Sequence, residues 1–252
     1  MKLDALAKAI CNIDETSHIS MSITIESLDM ATGMADSKQT MYFGYGSNLW
    51  LEQMHIRCPH SKYMGIARLN NYRWLINDRR YANVVAASKD GPIPTAHADH
   101  GASSSISATR SEYAAVVFGL VYSLTAADEG QLDRNEGVPV AYTKEMLACD
   151  FWPATSASLP IDTRKPPEKV IDMLVYIDRL RITPDKPRKE YIYRMNRGIE
   201  DAIKAGVPEK YVEDIMRSFI PEEKHDDESN ESIGGFAREQ ARQFRDESGV
   251  FQ

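Results

Sequence analysis

Glu136 is the carboxylate of this chain best placed to move protons. It stands in Leu132-Asp133-Arg134-Asn135-Glu136-Gly137-Val138, just before a glycine suited to end a helix. A loop at a helix end can hold a carboxylate in a cleft. Desolvation there raises its pKa towards neutrality, where it can take and return a proton. From spacing alone the commoner alternative is a solvated loop glutamate, because perturbed carboxylates are a minority. Asp133, in the same stretch, reads better as a local capping or pairing group. The second informative stretch is Tyr45-Gly46-Ser47-Asn48-Leu49. Glycine lets the backbone approach a ligand, and the free N–H groups of a helix start favour an anion. Taken alone, an ordinary turn and N-cap fits these residues as well. Tyr45, Tyr176 and Tyr191 are polar-tipped aromatics able to line a pocket, although core packing with one hydrogen bond is the default for each.

Other constellations carry less. His97 and His100 lie in a Ser/Ala-rich stretch with no distant ligand pair, so no metal is expected. Cys58 and His60 are near neighbours in sequence, which rarely meet in the geometry of a nucleophile and its base. Gly44-Tyr45-Gly46 is not a dinucleotide fingerprint, because the third glycine is absent. Arg79-Arg80 reads as a solvated turn.

These groups need elements to position them. The aromatic run Met41-Tyr42-Phe43-Gly44 reads as a strand entering the Gly-Ser-Asn turn, and a helix starts near Trp50 and is limited by Pro59. Further strand-like runs are 64–69, 72–77, 83–87, 113–124, 142–151 and 170–178, most of them rich in Val, Ile, Tyr, Phe or Trp. Thr125 is a suitable N-cap for a helix with Asp128 three residues on, and Gly137 is placed to end it. Tyr191, Met195, Ile199 and Ile203 form a helical stripe, ended by Gly206. Pro208 opens a second helix with Tyr211, Ile215 and Phe219. Core packing is the expected role of both stripes.

The chain has 252 residues, a size suited to one domain over residues 41–220. Residues 1–40 read as an extension with one candidate edge strand, Ile19–Ile25. Residues 88–111 form an irregular insert, long for a strand connection, and 221–252 an acidic tail with nine acidic and four basic residues. The formal net charge is −7. With most of that charge in the tail, nothing resembles the basic footprint of a nucleic-acid binder. The longest apolar run, Ala114 to Tyr122, is too short to span a membrane. Cys11, Cys58 and Cys149 are widely separated and form no disulfide framework, which fits a reducing cytoplasm.

Together, Tyr42-Phe43-Gly44-Tyr45-Gly46-Ser47-Asn48-Leu49 and the stretch around Glu136 resemble the γ-glutamylcyclotransferase family. Ile66-Ala67-Arg68-Leu69, Ala82-Asn83-Val84-Val85 and Val117-Phe118-Gly119-Leu120-Val121-Tyr122 also look like it, so the resemblance spans roughly 41–211. It implies an α+β fold, a mixed β-barrel of about half a dozen strands with surrounding helices. It implies that Glu136 is the catalytic acid and base. The substrate-binding residues it implies are Tyr42, Phe43, Gly44, Tyr45, Gly46, Ser47 and Asn48, together with Tyr176 and Tyr191. The implied reaction releases 5-oxoproline and a free amine from a γ-glutamyl amide or peptide, such as a glutathione-derived conjugate or γ-glutamyl amino acid. This is lyase-type chemistry that needs no cofactor.

The family includes homodimers, and a fungal subset serves gliotoxin-type secondary metabolite biosynthesis rather than general glutathione metabolism. Two alternatives stand beside turnover to the lactam. One is a catalytically silent γ-glutamyl-binding or regulatory module. The other is a γ-glutamyl hydrolase or transferase that forms no lactam.

Overall fold

The computed structural model describes residues 39–87, 111–155, 160–223 and 229–245, with side chains from Ile233 onward in the last segment. Five strands close into a barrel in the order β1-β5-β2-β6-β7. They are β1 (Thr40–Gly44), β2 (Lys62–Asn70), β5 (Val116–Leu124), β6 (Thr143–Pro153) and β7 (Lys169–Ile177). All neighbours are antiparallel except β1 and β7, which meet in parallel at Tyr42↔Leu174. The expected seven strands are all present, and the fold is the α+β mixed barrel that the sequence implied. The count inside the barrel is five because β3 (Tyr72–Ile76) and β4 (Ala82–Ala86) pair with each other as a separate hairpin. The chain leaves β2 at Asn71, which adopts a left-handed φ of 63°, a conformation asparagine tolerates better than most residues.

Helix α1 (Leu51–Arg57) follows a 3-10 turn at Ser47–Leu49. Helix α2 (Ala126–Asn135) is capped as expected, with the Thr125 hydroxyl accepting from the Asp128 amide at 3.2 Å. Gly137 ends it with φ 64°. The amide of Val138 then donates to the Asp133 carbonyl, a six-residue closure typical of such ends. Helix α3 (Lys189–Ala205) buries Tyr191, Met195 and Ile199 and ends at Gly206, φ 117°. Helix α4 (Glu209–Tyr211) runs on into a π-helical turn, Val212–Met216. Both apolar stripes pack in the core.

Helix α5 (Ser229–Arg242) lies within the stretch read as an acidic tail. Its Ala237 and Ala241 are fully buried with Trp50 and Tyr193. This helical part of the tail is thus packed against the body of the protein. Small residues spaced four apart give a helix a face flat enough to sit against two aromatic rings. The Ile19–Ile25 strand, His97, His100, Cys11 and nearly all of the 88–111 insert lie outside the described residues. No described helix is long and apolar enough to cross a membrane.

Candidate active site

At the end of β1 the chain turns through Tyr45-Gly46-Ser47-Asn48 beneath α3. The Tyr191 hydroxyl accepts from the Ser47 amide at 3.3 Å and the Ala82 amide at 3.2 Å. Two accepted bonds occupy both lone pairs, so the Tyr191 hydroxyl keeps its own hydrogen for another acceptor. Gly46 is required here: a Cβ at this position would stand 2.9 Å from that hydroxyl and 3.1 Å from the Ala82 side chain. The Tyr45 hydroxyl donates to the Tyr176 carbonyl at 2.6 Å, and the Trp74 indole donates to the Tyr45 carbonyl at 3.0 Å.

Asn48 joins this loop to the glutamate. Its amide nitrogen donates to the Tyr42 hydroxyl at 2.8 Å and to Glu136 Oε1 at 3.0 Å. Its oxygen accepts from Gln53 at 2.7 Å and from Arg57 at 3.1 Å. Glu136 keeps 17% of its side-chain surface exposed, and Arg57 stands 3.8 Å from Oε1. Both recorded contacts of the carboxylate fall on Oε1, so among the described residues Oε2 has no protein partner. Burial raises the pKa of Glu136 above its ordinary value, and Arg57 and the Asn48 bond pull it back only in part.

Three buried arginines surround the carboxylate, each with an acidic partner. Arg57 faces Glu136 itself, and burial pushes its pKa down to about 10. Arg194 holds Glu190 at 2.8 and 3.2 Å and also donates to the Ser47 hydroxyl. Arg79 is fully buried, 3.8 Å from Asp178, with its guanidinium 4.8 Å from the Tyr142 ring centre. The expected solvated turn holds for exposed Arg80 only. Arg79 turns inward because Asp178, at the end of β7, meets it there.

One cavity is lined by the turn, Glu136, Arg57 and Arg194, with about 470 Å³ of empty space counted together with its open mouth to solvent. Cys58 lies nearby, but burial pushes its thiol up to about 12, and its Sγ contacts the Asp128 carbonyl. It is not a thiolate nucleophile at neutral pH. Among the described residues no group of His, Cys, Asp and Glu is arranged to hold a metal ion.

The bovine (Bos taurus) protein named γ-glutamylcyclotransferase is 26% identical to this chain over 192 residues, which cover 68% of this chain and 91% of the relative. The chain is similar in sequence to a γ-glutamylcyclotransferase. A solved structure described as a γ-glutamyl cyclotransferase shares the fold with a TM-score of 0.51 at 18% identity, over 80% of this chain and 99% of that one. A human protein described as uncharacterized does so at 0.51 and 19%, over 79% and 98%. No family model matches the chain.

Of the residues implied by resemblance to the γ-glutamylcyclotransferases, Tyr42, Tyr45, Gly46, Ser47, Asn48, Glu136, Tyr176 and Tyr191 all line the cavity. Phe43 and Gly44 do not. Strand alternation sends the fully buried Phe43 ring into the core beside Tyr45, and Gly44 lies behind Asn48. Tyr176 has its hydroxyl tied to Asp133 at 2.7 Å, and Asp133 also pairs with Lys144. Asp133 is thus a pairing group, but its partners lie on β6 and β7 rather than in its own stretch as expected. The sequence reading missed Arg57, Tyr81, Tyr142, Arg194 and Phe244, which also line the cavity. A buried arginine on a helix has no local signature, and Tyr81 followed no recognised motif.

Proposed function

We propose that the protein converts γ-glutamyl amides or peptides to 5-oxoproline and a free amine, with Glu136 as general acid and base. The observation that carries this reading is the Glu136 carboxylate. It faces the cavity with Oε1 fixed by Asn48 and Oε2 unpartnered among the described residues. The substrate supplies its own nucleophile. Its α-amine attacks the γ-carbonyl carbon, a C–N bond forms to close the five-membered lactam, and the C–N bond to the leaving amine breaks.

Glu136 takes the proton lost by the α-ammonium and returns it to the leaving nitrogen, a contribution of about 10²–10⁴-fold. Folding the substrate into the attack geometry supplies part of the roughly 7–11 kcal/mol available to ideal intramolecular orientation. The backbone amides of Gly46 and Asn48 and the Tyr191 hydroxyl hydrogen are suited to the substrate carboxylate or the developing oxyanion. A raised Glu136 pKa suits a group that must both accept and donate near neutral pH.

The test is product analysis by mass spectrometry over a panel of γ-glutamyl amides, glutathione and glutathione adducts. Wild-type protein is expected to release 5-oxoproline. Glu136→Gln is expected to fold and bind but to lose about 10²-fold or more in turnover. Free glutamate as the product, or near-normal turnover by Glu136→Gln, would overturn the assignment.

A further inference from the structure

The far end of the described chain returns to the cavity. Arg57 donates from Nε to the Ala241 carbonyl at 2.9 Å and from Nη2 to the Gln240 carbonyl at 3.1 Å. These are carbonyls of the last turn of α5, where a cation is favoured. The same guanidinium donates from Nη1 to Asn48 and faces Glu136. One arginine therefore clamps the helix end with one edge and supports the Asn48–Glu136 pair with the other.

Beyond that clamp the chain delivers Phe244 into the cavity wall. Its ring meets Tyr81 edge-on at 5.1 Å, and the Arg194 guanidinium lies 5.8 Å from its centre. Its amide donates to Asn135 Oδ1 at 3.4 Å, next to Glu136 in sequence. The following amide, of Arg245, donates to Gln240 Oε1 at 3.0 Å and fastens the segment to α5. Phe244 thus bridges the Tyr81–Arg194 side of the cavity and the Asn135–Glu136 side.

A γ-glutamyl group is recognised by its carboxylate, its ammonium and its carbonyl, all of which call for polar partners. The Phe244 ring offers no hydrogen bond to any of them, and a cation, Arg194, already lies against it. The variable part of such a substrate is the substituent on the leaving amine. We propose that Phe244, held in place by α5 and Arg57, is a specificity-determining residue that limits the size of the leaving amine. This rests on the cyclotransfer reading given above.

The experiment uses the full chain as wild type, Phe244→Ala and Phe244→Tyr, with melting curves for each. The kcat and KM are measured for γ-glutamyl amides of methylamine and of a branched aromatic amine. Phe244→Ala is expected to raise kcat/KM for the bulky amide relative to the small one by about 10-fold or more, mainly through KM. Phe244→Tyr is expected to keep the wild-type ratio. Phe244→Leu replaces Phe244→Ala if the latter melts below the assay temperature, and is expected to move the ratio in the same direction. An unchanged ratio overturns the proposal. If wild-type protein forms no 5-oxoproline, the cyclotransfer reading falls, and the wall is decided by calorimetric Kd values for the same amides. A Kd ratio that shifts in Phe244→Ala or its replacement upholds the wall, and an unchanged ratio or no binding overturns it.

Discussion

The Asn48 side-chain amide donates to Glu136 Oε1 at 3.0 Å, linking two groups 88 positions apart in the chain. Its other edge accepts from Gln53 and Arg57, so the amide is held from both sides and cannot turn without breaking a bond. A carboxylate fixed in this way keeps one oxygen occupied and offers the other.

The proton affinity of Glu136 sets the acid limb of the rate profile. Burial raises its pKa above the ordinary carboxylate value. The folded protein therefore disfavours ionised Glu136. Any stability gained from its neutral form is complete below the unfolded pKa and is lost as pH rises through the folded one. As a base it must be ionised, so kcat/KM is expected to rise with pH through a midpoint above that of an ordinary glutamate. Arg57 pulls that value down. Arg57→Gln is expected to move the limb to higher pH, and Arg57→Lys to move it less. A pH–rate profile checks both, and a limb that stays fixed in Arg57→Gln refutes the coupling.

Gly46 and Tyr191 should behave as one unit. Gly46→Ala drives a methyl group against the Tyr191 hydroxyl. Tyr191→Phe removes the clash but strands the Ser47 and Ala82 amides. Each single variant is expected to weaken kcat/KM. The double variant should lose less than the sum, with a coupling of about 0.5–3 kcal/mol. Strict additivity in this cycle would show that the contact does not shape the loop.

The Arg79–Asp178 pair is a stability element. Both side chains are essentially inaccessible, at 0% and 1%. Asp178 also accepts from Asn77 and Arg181. Asp178→Ala leaves a buried cation short of a partner and is expected to cost about 3–5 kcal/mol in urea unfolding. A loss near zero would mean that other acceptors around Arg79, such as the Ala141 carbonyl, and solvent compensate.

The strands and the capped α2 were legible because their signals are local: aromatic and β-branched runs, Thr125 with Asp128, and Gly137. The Tyr45–Asn48 turn and Glu136 were legible for the same reason, and the resemblance joined them. Strand partners were not, since nothing within β3 or β4 says that they pair with each other outside the barrel. Arg79 looked like Arg80 because burial is decided by Asp178, 99 positions later. Arg57 was invisible because two of its acceptors are backbone carbonyls, which leave no trace in residue type. The same holds for α5, whose charged exposed face outweighs two buried alanines in composition.

The barrel closes between β1 and β7 at the single register pair Tyr42↔Leu174. Across that seam the Tyr45 hydroxyl reaches the Tyr176 carbonyl, and the Tyr42 ring meets the Tyr176 ring at 5.6 Å. Tyr42, Tyr45 and Tyr176 are therefore both cavity lining and rivets of the barrel wall. Lineages adapting to a new amine are not free to exchange them, because each exchange loosens the seam. Drift in preference is left to wall positions outside the seam, and Phe244, which contacts Tyr81, Arg194 and Asn135 instead, is one of them.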